Sequence, residues 1–109
     1  MTRTETPSPL VGVILEEQIE LSLTEVCAAC RVQTSQIIAL VEEGVIEPAT
    51  PASPDQAPAD WRFAGDALTR ARRALRLQRD LDLDPSAAAL VLELLDRIDA
   101  LRAMTARDR

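Results

Sequence analysis

The residues able to do chemistry are few, and their spacing narrows what they can do. The only two thiols stand as Cys27-Ala-Ala-Cys30, and the chain contains no His. A tetrahedral zinc site needs about four ligands, and this pair supplies two. A redox Cys-x-x-Cys needs a thiolate activated near a helix start. This pair falls inside a helical stretch among residues that pack, so both cysteines are read as packing residues. Glu42 and Glu43 are adjacent carboxylates, but no pocket-forming segment or second polar group accompanies them to make an acid–base pair. The missing His removes the commonest general base and the commonest metal ligand. There is no Gly-rich phosphate loop and no nucleophile motif. The sequence therefore predicts no catalytic residue, no metal site and no cofactor. It points to a protein that binds, not to an enzyme.

Charge narrows the partner. All 12 cations are Arg, against 18 acids, for a net charge of −6. The first 60 residues hold ten acids and two arginines, a balance of −8, while residues 61–109 hold ten arginines and eight acids, a balance of +2. An acidic front half suits a basic partner and repels nucleic acid. No run approaches the roughly 20 apolar residues of a membrane span. The start lacks the apolar stretch of a secretory signal. With only two cysteines, this fits a reducing cytoplasm, and membrane association is not expected.

The elements that must position these charges are mostly helices. Residues 1–21 read as a tail with a short strand somewhere in 11–21. Ser22 is placed as an N-cap, and Glu25 three residues on completes a capping box. The first helix runs about Leu23–Cys30 with Leu23, Val26, Cys27 and Cys30 inward. Arg31–Gln33 is a turn. Thr34 or Ser35 caps a second helix that runs to about Glu43, and Gly44 ends it in a left-handed conformation. Ile37, Ile38, Leu40 and Val41 fall on one side of that helix, and Ser35, Gln36, Ala39, Glu42 and Glu43 on the other. Val45–Glu47 and Trp61–Phe63 read as two strands of a hairpin, or wing, joined by a proline-rich loop over 48–60. A third helix spans about Gly65–Leu81. Its core face carries Ala64, Leu68, Ala71 and Leu75, extended by Ala67, Ala74 and Leu81. Arg72, Arg76 and Arg79 lie on the opposite edge, where Asp80, Asp82 and Asp84 are the expected ion-pair partners. Asp84 caps a fourth helix with Pro85 as its first residue, running to about Met104. Leu90, Leu94, Ile98 and Leu101 form its apolar stripe, widened by Val91 and Leu95.

The fold class that follows is mainly α: a winged helix-turn-helix with a small β-hairpin wing, then two longer helices. The expected organisation is a tail over 1–21, the winged unit over 22–81 and a C-terminal helix over 82–109, within one domain.

These residues resemble a known family. The helix-turn-helix, EGVIEP at 43–48, WRF at 61–63, RLQRDLDLD at 76–84 and LELLDRIDAL at 92–101 are together similar to the chaperone modulator CbpM family, whose fold resembles MerR-type regulators. The likeness covers roughly Leu21–Leu101. It implies a cytoplasmic protein that binds the J-domain of a DnaJ-like co-chaperone of the CbpA type. It also implies that binding inhibits stimulation of a DnaK-type chaperone. Where the family has a Trp after the Leu-Asp that opens the fourth helix, this chain has Pro85, and its last helix is shorter. Where MerR readers place a phosphate-contacting Arg on the second helix, this chain has Ile38. The wing keeps one arginine, Arg62.

J-domains of this family present a basic helix to DnaK, and an acidic face is its complement. The expected partner-binding residues are Ser35, Gln36, Ala39, Glu42, Glu43, Glu47 and Trp61. Trp61 is weighed between core cover and binding hot spot. Leu94, Ile98 and Leu101 are weighed between intramolecular core and a homodimer seam, with the MerR-like architecture favouring the seam. The competing reading is a dimeric MerR-type transcriptional regulator, which the sign of charge on the second helix opposes.

Overall fold

The structure is a computed structural model, which describes residues 20–49 and 56–107. The readings made for residues 1–19, and for the middle of the proline-rich loop, lie outside the described residues. The described residues begin with strand β1 (Glu20–Ser22), α1 (Leu23–Cys30) and α2 (Thr34–Glu42). A short 3-10 helix (Pro58–Asp60) then leads into β2 (Arg62–Ala64), α3 (Gly65–Leu81) and α4 (Pro85–Arg107).

Local chemistry sets the helix ends. Ser22 caps α1 in a full capping box: its hydroxyl accepts from the Glu25 N–H at 3.1 Å, and its own N–H donates to Glu25 Oε1 at 2.8 Å. Two otherwise orphaned donors are thereby satisfied. The expected cap of α2 at Thr34 or Ser35 is corrected. The cap is Gln33, whose N–H donates to Gln36 Oε1 at 3.1 Å while the Gln36 N–H donates to the Gln33 carbonyl at 3.0 Å. A glutamine pair performs here what a short hydroxyl usually does. Gly44, at φ +76, ends α2 as expected. The Val45 N–H reaches the Leu40 carbonyl and the Gly44 N–H reaches that of Val41, which is a Schellman closure. Asp84 caps α4, accepting from the Ala87 N–H at 2.8 Å and the Ser86 hydroxyl at 3.0 Å. Those bonds, the one from Ala87 first, favour the ionised form and hold the Asp84 carboxyl below its ordinary pKa.

The small sheet is not the expected hairpin. β2 pairs antiparallel with β1, in the register Glu20–Ala64, Leu21–Phe63 and Ser22–Arg62. Val45–Glu47 forms no strand, for a physical reason. Val45 and Ile46 are both buried, which an alternating strand on one surface does not allow. The Val45 N–H closes α2, and its carbonyl accepts from Arg70 Nε at 2.8 Å. Pro48 has no N–H to pair. Among the described residues, one backbone bond, from the Ala49 N–H to the Arg62 carbonyl, ties the stretch after Val45–Glu47 to β2.

The core gathers Leu23, Val26 and Cys27 of α1, Ile37 and Leu40 of α2, Val45 and Ile46, Phe63, and one face of α3. Trp61 is half-buried and meets Phe63 edge to face, ring centroids 6.0 Å apart. α3 packs against α1, α2, β2 and α4. Its buried residues are small: Gly65, Ala67, Ala71 and Ala74. Leu68 and Leu75 flank them half-buried, while Leu81, expected in this face, is exposed. Leu81 is the last residue of α3, and the chain turns away at Asp82, whose φ of +55 is left-handed.

α4 does not show the alternative in which its apolar stripe is intramolecular core. Its buried residues are Ala88 and Leu92, not the stripe of larger side chains. Farther along, its contact with α3 becomes ionic, with Arg70–Asp96 at 2.9 Å and Arg73–Asp99 at 3.9 Å. Leu90, Leu94, Ile98, Leu101 and Met104 are left 43–60% exposed. The Arg edge of α3 makes one of the expected pairs with the 80–84 acids, Arg79–Asp80 at 3.6 Å.

The alanine face makes a prediction. Ala71→Leu inserts three carbons into a closed seam, and overpacking of this kind costs about 1–3 kcal/mol. Leu81→Ala, at an exposed end, should stay within about 0.5 kcal/mol of the parent. Urea unfolding followed by circular dichroism compares the two. Equal midpoints would show that the alanines do not set the packing distance.

Candidate protein-docking site

The exposed side of α2 is built by what anchors its other side. Ile37 and Leu40 are buried, and Ile38 and Val41 half-buried. The Schellman closure at Gly44 and the bond from Arg70 to the Val45 carbonyl fix where the helix stops. Ser35, Gln36, Glu42 and Glu43 are exposed and Ala39 half-buried, all within an arc of about 120° on the helix. Glu47 lies exposed just beyond the closure. The expected docking residues of α2 thus share one face, with the carboxylates at its C-terminal end. Trp61 stands apart from this group in its packing. It contributes to the core cluster, and the short helix leading to it lies against α1.

The electrostatics of this end are unusual for a stable helix. A helix C-terminus carries partial negative charge and favours cations. α2 has no basic residue in its last turn. Instead Glu42 and Glu43 stand there, each at a cost of roughly 0.3–1 kcal/mol in an exposed setting. Beside them is a notch of about 320 Å³, lined by Gly44, Val45, Ile46, Glu47, Asp66 and Arg70 among others. The Arg70 guanidinium is already engaged by Val45 and Asp96. That leaves Glu47 and Asp66 as the exposed acidic residues lining the notch. Asp66 was missed by sequence reasoning. Its signal was its place in the first turn of α3, which the fold brings beside the end of α2.

The thiols do not form a site. Cys27 is buried and Cys30 half-buried, both free. Burial pushes the Cys30 thiol above its ordinary pKa, outweighing the lowering effect of Arg72. An activated redox thiol needs the opposite. Among the described residues no group of three or more His, Cys, Asp and Glu is placed to hold a metal ion. No described helix is long and apolar enough to cross a membrane.

Comparisons with known proteins agree with this architecture. The model of the MerR HTH family regulatory proteins matches residues 21–107. A chaperone modulatory protein CbpM of Pseudomonas putida strain GB-1 is 33% identical over 85 residues, spanning 78% of this chain and 79% of the relative. One from strain W619 is 31% identical over the same length. A CbpM of Coxiella burnetii strain Dugway 5J108-111 is 33% identical over 90 residues, 83% of this chain and 80% of the relative. The match runs through β1, the helix-turn-helix and both long helices, so this chain belongs to the CbpM family of chaperone modulatory proteins, within the MerR-like fold.

Proposed function

We propose that this protein is a chaperone modulator that binds the J-domain of a DnaJ-like co-chaperone of the CbpA type. Binding inhibits that J-domain's stimulation of a DnaK-type chaperone by covering its DnaK-contacting basic helix. The protein acts by binding and carries out no catalysis. One observation carries this reading: the carboxylates of Glu42, Glu43 and Glu47 crowd a helix end that by itself favours cations. Charges that weaken their own helix make sense when an external basic surface neutralises them. The notch between Glu47 and Asp66 gives one Lys or Arg of that surface a socket. The same sign of charge opposes DNA, since a phosphate backbone calls for cations on the helix presented to it.

We also infer a homodimer through α4. From Arg97 to Arg107 the helix is exposed on every side among the described residues, yet Ile98, Leu101 and Met104 continue the apolar stripe. Leu94, Ile98 and Leu101 recur at spacings of four and three, the pattern of a helix–helix seam.

Replacing Glu42 and Glu43 by Lys separates binding from folding. The double variant should bind a CbpA-type J-domain about 1–3 kcal/mol more weakly, at least a several-fold loss. Its unfolding midpoint should stay level or rise slightly, because lysines suit that helix end. The parent's affinity should fall with added salt. Calorimetry reads the binding, and unchanged affinity in the variant would remove this face from the account.

Ile98→Asp tests the seam. An unpaired charge placed against a mate should abolish association. The helical signal should persist, because Ile98 lies outside the core cluster. Sedimentation should show a dimeric parent and a monomeric variant. A parent that is monomeric at tens of micromolar would reject the seam.

A further inference from the structure

A second charged surface lies at the other end of α2, and the acidic face does not account for it. Two adjoining depressions, of about 170 and 440 Å³, share Cys30, Arg31, Leu75 and Arg79. Together they form a groove between the helix-turn-helix turn and the C-terminal half of α3. Half-buried Cys30, Val32 and Leu75 give it an apolar floor. Arg31, Arg72, Arg76 and Arg79, all exposed, stand along its rim. Among the described residues only Arg79 of these four has an acidic partner, a loose and exposed pairing with Asp80. The groove reaches Gln36 in the first turn of α2, where the helix dipole adds to the positive potential. Four guanidinia gathered at one groove of a chain with net charge −6 are a local reversal of sign.

We propose that this groove docks an acidic, amphipathic peptide segment of a partner protein. Carboxylates of the segment take the arginine rim in forked hydrogen bonds, and an apolar side chain rests on the Cys30–Val32–Leu75 floor. Peptide is favoured over nucleic acid on two grounds. The floor is apolar and lacks an aromatic ring on which a base could stack. A long polyanion leaving the groove would also pass the acidic end of α2, roughly 12 Å farther along that helix at 1.5 Å per residue. A short segment meets the arginines alone. The inference does not depend on the identity of the partner at the acidic face.

Fluorescence anisotropy on the full chain tests it with three labelled probes: a nine-residue peptide of alternating Glu and Leu, its Lys/Leu counterpart, and a 20-base-pair DNA duplex. The Glu/Leu peptide should bind, and its affinity should fall at least tenfold in the Arg72→Glu/Arg76→Glu variant. Circular dichroism should show that these exposed changes leave the fold intact. Glu42→Lys/Glu43→Lys should not weaken the peptide, so failure of the acidic face and failure of the groove read out separately. The proposal is overturned if the Glu/Leu peptide fails to bind at millimolar concentration, or binds the Arg variant equally well. It is also overturned if the duplex outcompetes the peptide for the groove. Loss of self-association in the Arg variant, without peptide binding to the parent, would overturn it by making the groove a contact between copies.

Discussion

The structure depends on a close approach that only small side chains permit. Ala67, Ala71 and Ala74 recur at spacings of four and three along α3, and all three are buried. Their size lets α3 lie near enough to α1, α2, β2 and α4 to serve all of them as a common wall. The buried side chains on that face are all small, so the fully buried volume of the core comes from its neighbours: Phe63, Ile37, Leu40, Leu92 and Val26 are its largest fully buried members. Interiors pack like organic crystals, so a wall of fixed depth also fixes the positions of the elements pressed on it. Arg70 rises from the same helix and holds both the carbonyl that follows α2 and Asp96 of α4. The exposed end of α2 is thus set by α3, and so is the direction in which α4 leaves the core.

Charge placement then divides the surface. The C-terminal end of α2 gathers carboxylates, while the groove at its start gathers arginines. One short helix of nine residues separates them. The acidic end opposes the dipole of α2, where a cation belongs, whereas most of the arginines sit on α3, with Arg79 favourably placed in its last turn. A helix-turn-helix that reads DNA turns a cationic face outward. Here the same scaffold turns out acid, and the proposed function would have one fold host a second kind of recognition. α4 adds a third surface of another kind, apolar and directed away from α3.

Much of this was legible in the residues. Ser22 with Glu25 marked the start of α1, Gly44 the end of α2, and Asp84-Pro85 the start of α4, because caps are local chemistry and leave local signatures. The bounds Leu23–Cys30 and Gly65–Leu81 were read as the structure has them. What failed was non-local. Val45 and Ile46 look like a strand, but the Val45 N–H is engaged by Leu40 and its carbonyl by Arg70, 25 residues away. The partner of β2 lies some 40 residues upstream, which no turn signal announces. On α4 the larger stripe drew attention, while Ala88 and Leu92 make the contact with the core. Periodicity shows that a face is apolar but not which neighbour covers it. That Ser35, Gln36, Ala39, Glu42 and Glu43 share one side of α2, the candidate docking face, was legible from helical spacing. Asp66 was not, since only the fold brings the start of α3 beside the end of α2.

In the proposed function the acidic end of α2 receives a basic J-domain helix. The most direct measurement is a titration of the isotopically labelled protein with an unlabelled J-domain of a CbpA-type co-chaperone, followed through backbone amide resonances. The largest shifts should cluster at Glu42, Glu43, Gly44, Glu47 and Asp66. Shifts confined to the exposed stripe of α4 or to the arginine groove, or none at saturating J-domain, would contradict it.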